Sequence, residues 1–187
     1  MNTQLIEPMM SDLYFLEPLN KLHAPKMYAG LCVDDDYKFI PSNPPASVEE
    51  LAARYERISQ RHTSGQNEIW LNWVIISRQS ADYMGYVQAT IMLDKECAYI
   101  AYHVFGKYQK QKVAKQCVRL LINYLFNNYK LSHVDALIDT RNLASIGLAE
   151  SLELKKINEI KDADYFKEST SNEFHYRVLV SDWAMKV

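Results

Sequence analysis

The densest chemistry in the chain lies in the segment Phe105-Gly106-Lys107-Tyr108-Gln109-Lys110-Gln111-Lys112-Val113-Ala114-Lys115, which carries four lysines within nine residues. It stands where an apolar strand gives way to a helical pattern. The free N–H groups and dipole of a helix N-terminus bind anions, and lysine side chains would reinforce such a site. The same residues also suit a solvated basic loop, and spacing alone leaves both readings open. The five histidines show no HxxxH spacing and the three cysteines, Cys32, Cys97 and Cys117, form no CxxC. Neither an imidazole nor a thiolate metal centre is therefore expected.

The elements that must position this loop follow from periodicity. Residues 70–76, 83–93 and 97–104 are rich in aromatic and β-branched types with polar breaks between them, which predicts three antiparallel strands. Gly85 inside the second marks a bulge or a close backbone approach. Val113, Cys117, Leu120, Leu121, Tyr124 and Leu125 recur at helical spacing, and residues 134–138 read as the next strand. Strand, helix and strand then form a parallel crossover. A second helix is predicted over about 143–152 and a last strand over 174–180. Upstream, residues 13–16 read as a strand, Asn20 as the N-cap of a short helix ending near Gly30, and residues 41–45, rich in proline, as a loop. Ser47-Val48-Glu49-Glu50 has the spacing of a capping box, with Leu51, Tyr55 and Ile58 following on one face.

At 187 residues, 48% apolar, the chain suits one domain spanning 1–187 with a sizeable core. Its 21 basic and 23 acidic residues give a formal charge of -2, so no broad attraction for nucleic acid or an anionic membrane is expected. The longest apolar run, 97–102, falls far short of the roughly 20 residues of a membrane span. No basic leader precedes Glu7 and Asp12. These features, with the cysteine usage, point to a soluble, untargeted protein in a reducing cytoplasm. Trp70, Trp73, Tyr83, Tyr86, Tyr99 and Tyr102 crowd the meander, where they could pack a sheet face or wall a groove for an amine. Glycine is scarce. The chain has only five, Gly30, Gly65, Gly85, Gly106 and Gly147, where average usage near 7% would give about 13.

Two segments carry a family resemblance. Tyr108-Gln109-Lys110-Gln111-Lys112-Val113-Ala114 follows one strand, and Asp139-Thr140-Arg141-Asn142-Leu143-Ala144-Ser145-Ile146 follows the next. Together with the element order, they resemble the GNAT superfamily of N-acetyltransferases, in particular the branch of ribosomal-protein N-terminal acetyltransferases. In that family the first segment has the form Q/R-x-x-G-x-G/A and the second D-x-x-N-x-x-S. The resemblance implies an α/β fold with a mixed, mostly antiparallel central sheet, helices on both faces and one parallel βαβ crossover. It also implies a cleft where the strand ending near Val104 splays from the next.

The implied activity is transfer of an acetyl group from acetyl-CoA, as co-substrate, to a primary amine of a protein N-terminus or a small molecule, by direct attack on the thioester. By this resemblance Gln109, Lys110, Gln111, Lys112, Val113, Ala114 and Lys115 hold the coenzyme pyrophosphate. Backbone near His103, Val104 and Phe105 meets the acetyl carbonyl, Asn142 the pantetheine arm, and Ser145 the departing sulfur. Asn142 and Ser145 equally suit helix capping. For the base, Tyr99 stands where many relatives carry glutamate, with Glu96, Tyr102 and His103 as neighbours. His103 titrates in the range an amine's proton needs, although a histidine in an aromatic strand also suits a structural role. The departures are Lys110 and Lys112 in place of loop glycines and Glu153-Leu154 in place of a helix-closing Gly-Phe. They keep a second reading in view, a non-catalytic coenzyme A-binding or interaction module. Either reading suits a monomer or a homodimer.

Overall fold

The structure is a computed structural model that describes residues 6–61 and 67–184, so His62 and Gly65 lie outside it. The elements are β1 (Met9–Met10), β2 (Tyr14–Pro18), α1 (Ala24–Leu31), α2 (Val48–Ser59), β3 (Glu68–Ser77), β4 (Tyr83–Met92), β5 (Cys97–Val104), α3 (Val113–Asn128), β6 (His133–Asp139), α4 (Leu143–Ser151), β7 (Lys155–Phe166), β8 (Ser169–Leu179) and α5 (Val180–Ala184). Among the described residues the strands form one sheet in the order β1-β2-β3-β4-β5-β6-β8-β7. All neighbours are antiparallel except β5 and β6, the crossover joined by α3.

Helices cover both faces, as the alternation in the strands requires. Leu71, Trp73 and Ile75 of β3 and Ile100 and Val104 of β5 point to the face under α3 and α4, where Cys117, Leu121, Leu125 and Leu152 complete the larger core. Val74 and Phe105 point the other way, onto Met27 of α1 and Leu51 and Tyr55 of α2. The helix starts read from sequence are present. The Asn20 side chain accepts from the Leu22 N–H at 2.9 Å, and Ser47 Oγ from the Glu50 N–H at 3.1 Å. Glu50 reaches back to the N–H of Ala46, one residue upstream of the usual box partner.

Both readings of Gly85 hold. The β3–β4 register slips there, pairing Ile75 with Gly85 and Ile76 with Tyr83, and leaves Met84 as the bulged residue. Gly85 has φ 145°, and a Cβ on it would lie 2.0 Å from the His103 carbonyl oxygen.

Strand β7 escaped the periodicity reading. It is an edge strand, exposed along nearly its whole length, and residues such as Lys155, Lys156, Glu159 and Lys161 give it no apolar alternation. Charged edges of this kind discourage pairing with other chains and erase the signal that reveals half-buried strands. Among the described residues no helix is long and apolar enough to cross a membrane.

Candidate active site

The cleft forms because β5 and β6 pair only over Cys97↔His133, Ala98↔Val134 and Tyr99↔Asp135. Beyond that rung β5 runs on to Val104 with β4 alone, while β6 stays paired to β8 through Asp139. The Phe105 N–H donates to the Met84 carbonyl at 2.9 Å. By the alternation of an antiparallel ladder, Phe105, His103 and Ala101 therefore turn their backbone groups toward β4. The N–H groups of Tyr102 and Val104 face the gap. Of the three residues expected to present backbone to an acetyl carbonyl, Val104 is so placed, whereas the N–H groups of His103 and Phe105 are turned away.

At the mouth of the cleft, the loop into α3 has the backbone that its sequence disguises. Lys110 has φ 60° and Lys112 φ 64°, both left-handed, at the two positions where the sequence motif would carry glycine. Lys112 is the N-cap of α3 and makes no side-chain capping bond. Among the described residues, none of the backbone N–H groups of 110–115 donates to a protein acceptor. They form an N–H cradle at a 16-residue helix, with Lys110, Lys112 and Lys115 lacking ion-pair partners. Lys107 instead lies over the Tyr108 ring, 4.6 Å from its centroid. The side chains of Gln109 and Gln111 brace the loop, donating to the carbonyls of Val104 at 3.1 Å and Lys107 at 2.9 Å. Val113 is buried in the core and Ala114 packs against it, so these two can offer only backbone.

The second segment is built around Asp139. Its carboxylate accepts from the Arg141 N–H at 2.8 Å, from Arg141 Nε at 2.9 Å and Nη2 at 2.6 Å, and from the Ser171 hydroxyl at 2.8 Å. The Arg141 side chain first of all, aided by that N–H and hydroxyl, holds the Asp139 carboxyl down to about 2 against the opposing effect of burial. This knot fixes the turn from which α4 starts. Asn142 does cap the helix, accepting from the Ser145 N–H at 3.1 Å, which occupies its oxygen and leaves its amide donor free. The Ser145 carbonyl accepts from the Tyr102 hydroxyl at 3.3 Å, across the gap between α4 and β5. Burial raises the Tyr102 phenol and keeps it a donor.

His103 and Tyr99 lie on the α1/α2 face, four residues apart along β5, or roughly 13 Å at the rise of a strand. They do not meet. Tyr99 stacks on His175 at 6.3 Å, beside Asp135, whose carboxylate takes a two-pronged contact of 2.7 Å and 2.7 Å from Arg177. His103 sits among Tyr37, Tyr86 and Phe105 at centroid distances of 6.4, 5.7 and 5.7 Å. Its Nε2 is 3.4 Å from Asp36 Oδ2, and neither buried atom has a hydrogen-bond partner. Burial lowers the His103 pKa from 6.5, with Asp36 acting in the opposite direction. The surroundings thus favour the neutral imidazole over the charged one.

Asp36 has no signal in the sequence, since Asp34-Asp35-Asp36 reads as a solvated acidic run and sits 67 positions before His103. Lys167 was equally invisible. From the β7–β8 turn its ammonium donates to the carbonyl of Tyr37 and, at 3.1 Å each, to those of Ile40 and Ser42. It ties the hairpin tip to the α1–α2 connection over the α1/α2 face of the cleft.

A sheet opened at its one parallel pair, with an N–H cradle at the mouth, defines an acyl-transfer class of site. The sequence matches the Acetyltransferase (GNAT) domain over residues 14–155, and the chain belongs to that family. It is an N-acetyltransferase by that membership. The fold is similar to that of several solved structures. A GCN5-related N-acetyltransferase from Brucella melitensis superposes with a TM-score of 0.83 at 18% identity, covering 97% of this chain and 82% of that one. The ribosomal-protein-S5-alanine acetyltransferase from Vibrio fischeri gives 0.81 at 16%, covering 95% and 99%. RimL, a ribosomal L7/L12 α-N-protein acetyltransferase in complex with coenzyme A, gives 0.82 at 17%, covering 94% and 99%. No curated protein matches the sequence.

Proposed function

We propose that the chain, acting as one domain over 1–187, transfers the acetyl group of acetyl-CoA to a primary amine by direct attack on the thioester. The observation that carries this reading is the left-handed backbone at Lys110 and Lys112. A loop that keeps the glycine conformation without the glycines keeps its N–H cradle. The cradle and its unpaired ammonium groups would hold the pyrophosphate, and the amide donor of Asn142 the pantetheine arm.

The thioester would lie in the gap, its carbonyl oxygen facing the N–H of Val104 or Tyr102, which suits the negative charge that develops there. His103 would take the proton of the incoming ammonium from the α1/α2 face. As the C–N bond forms and the C–S bond breaks, the nitrogen would shed its second proton to solvent, and Ser145 on the opposite face would give the thiolate its proton and recover one from solvent. Tyr102, by holding the Ser145 carbonyl, would position that hydroxyl. Tyr99 has no place in this scheme, since its ring is engaged with His175.

The test is coenzyme binding followed by turnover. A ligand bound only by the native state raises the melting temperature by mass action, about 2.7 kcal/mol at 100 times Kd. Coenzyme A at millimolar concentration should raise the melting temperature, and thiol should be released from acetyl-CoA in the presence of an acceptor amine. Absence of any thermal shift sinks the proposal.

A further inference from the structure

Beside His103, under α2, lies a cleft of about 460 Å³ counting its open mouth. Two of its walls are the Tyr37 and Tyr86 rings that also pack on His103. Its apolar lining includes Leu31, Leu51 and Ile58, and the polar groups that converge on it are Arg54, Tyr55, Asn72 and Gln88. Among the described residues no aspartate or glutamate lines it.

The polar groups are uncommitted in a way a core does not tolerate. Tyr55 is 4% exposed, and its hydroxyl is buried with no hydrogen-bond partner. An unpaired buried hydroxyl is destabilising, and a ligand that accepted from it would recover that loss. Asn72 is 9% exposed, and no described residue hydrogen-bonds its side chain or that of Gln88. Arg54 at the rim has no ion-pair partner among the described residues, and its charge acts on the phenols of Tyr37, Tyr55 and Tyr86. A guanidinium, a phenol and two primary amides around an acid-free pocket match an anion with two acceptor oxygens.

We propose that this cleft seats the carboxylate of the acceptor, so that the substrate is a small amine whose carboxylate stands several bonds from its amino group, far enough for that group to reach His103 past the Tyr37–Tyr86 wall. The assignment rests on the acetyl-transfer reading. Lys167 grips the carbonyls of Tyr37, Ile40 and Ser42, and all three residues line the cleft, so the hairpin tip holds its outer wall in place.

The experiment compares matched sets: 6-aminohexanoate, 6-aminohexanamide and hexylamine, then 5-aminopentanoate, 5-aminopentanamide and pentylamine. Thiol release from acetyl-CoA is followed for wild type, Arg54→Gln and Tyr55→Phe. The carboxylate-bearing member of each set should have a kcat/KM at least tenfold above its partners, through KM. Arg54→Gln should remove that preference while leaving the KM for acetyl-CoA unchanged, and Arg54→Lys should restore part of it. The product 6-acetamidohexanoate should raise the melting temperature of wild type, and this shift should shrink in Tyr55→Phe. Turnover without carboxylate preference, or a preference that survives Arg54→Gln, overturns the pocket assignment and leaves acetyl transfer standing. Thermal stabilisation by 6-acetamidohexanoate that depends on Arg54, with no thiol release from any amine, keeps the pocket and removes the reaction. Absence of both the stabilisation and the preference removes the pocket.

Discussion

His103 and Asp139 show how one chain assigns opposite duties to titratable groups through their surroundings. At His103, burial disfavours the charged ring, so the acid limb of a rate profile should lie below the ordinary value of 6.5. His103→Gln should lower kcat by about 10²-fold, the usual worth of a positioned base, and flatten that limb without changing the KM for acetyl-CoA. An unchanged pH profile in steady-state kinetics would show that His103 is only part of the aromatic packing. At Asp139 the folded pKa is depressed from 3.8 to about 2. Its stabilising contribution is therefore complete above 3.8 and disappears as the pH falls through 2. Because Arg141 is 43% exposed, solvent discounts the shift to about 1–2 kcal/mol. Asp139→Asn should lose about that much in urea unfolding at pH 7 and should unfold with a shallower pH dependence between 5 and 2. An identical acid transition in the two proteins would contradict this account.

Among the elements, the turn into α3 and the end of α4 show backbone geometry surviving a change of residue type. The close of α4 is a Schellman arrangement, with the Leu154 N–H donating to the Ala149 carbonyl at 3.0 Å, the Glu153 N–H to Glu150 at 2.8 Å, and Glu153 left-handed at φ 61°. Glycine would be the ordinary occupant there, as at Lys110 and Lys112. A left-handed non-glycine residue costs about 1–2 kcal/mol, partly offset because glycine loses more entropy on folding. Lys112→Gly should thus leave stability unchanged or raise it by up to about 1 kcal/mol, with coenzyme A affinity equal or better by calorimetry. A large loss of affinity would mean that the Lys112 ammonium itself grips phosphate. The glycine rule explains why these turns were hard to read. A motif search looks for the residue that makes a conformation cheap, and here the conformation is imposed by the strand and helix on either side.

The glycine shortage extends this pattern to the whole molecule. Among the described residues nine non-glycines have positive φ: Arg61, Ala81, Glu96, Lys110, Lys112, Glu153, Asp162, Lys167 and Glu168. Lys167 and Glu168 occupy the two-residue turn of the β7–β8 hairpin, where Asn-Gly is usual. Lys167 is held there by its bonds across the molecule to 37–42. Lys167→Ala should therefore release a contact between distant parts of the fold, lowering stability by about 1 kcal/mol. The KM for the acceptor should rise several-fold, with that for acetyl-CoA unchanged. Equal KM values for both substrates would show that the tie has no bearing on the acceptor side. The meander, α3, the crossover and the helix caps were legible from sequence because each rests on spacing within a few residues, between apolar side chains or between a cap and its N–H. The two segments flanking the gap were legible through their resemblance to family motifs, since spacing alone left the lysine loop and the Asn142–Ser145 turn open to plainer readings. Tertiary structure alone decided that β5 leaves β6 after Tyr99, that Asp36 meets His103, that Tyr102 reaches Ser145 and that Lys167 closes over 37–42. These contacts join residues 36 to 130 positions apart with no local periodicity to announce them, so only the folded packing of sheet, loop and hairpin brings them together.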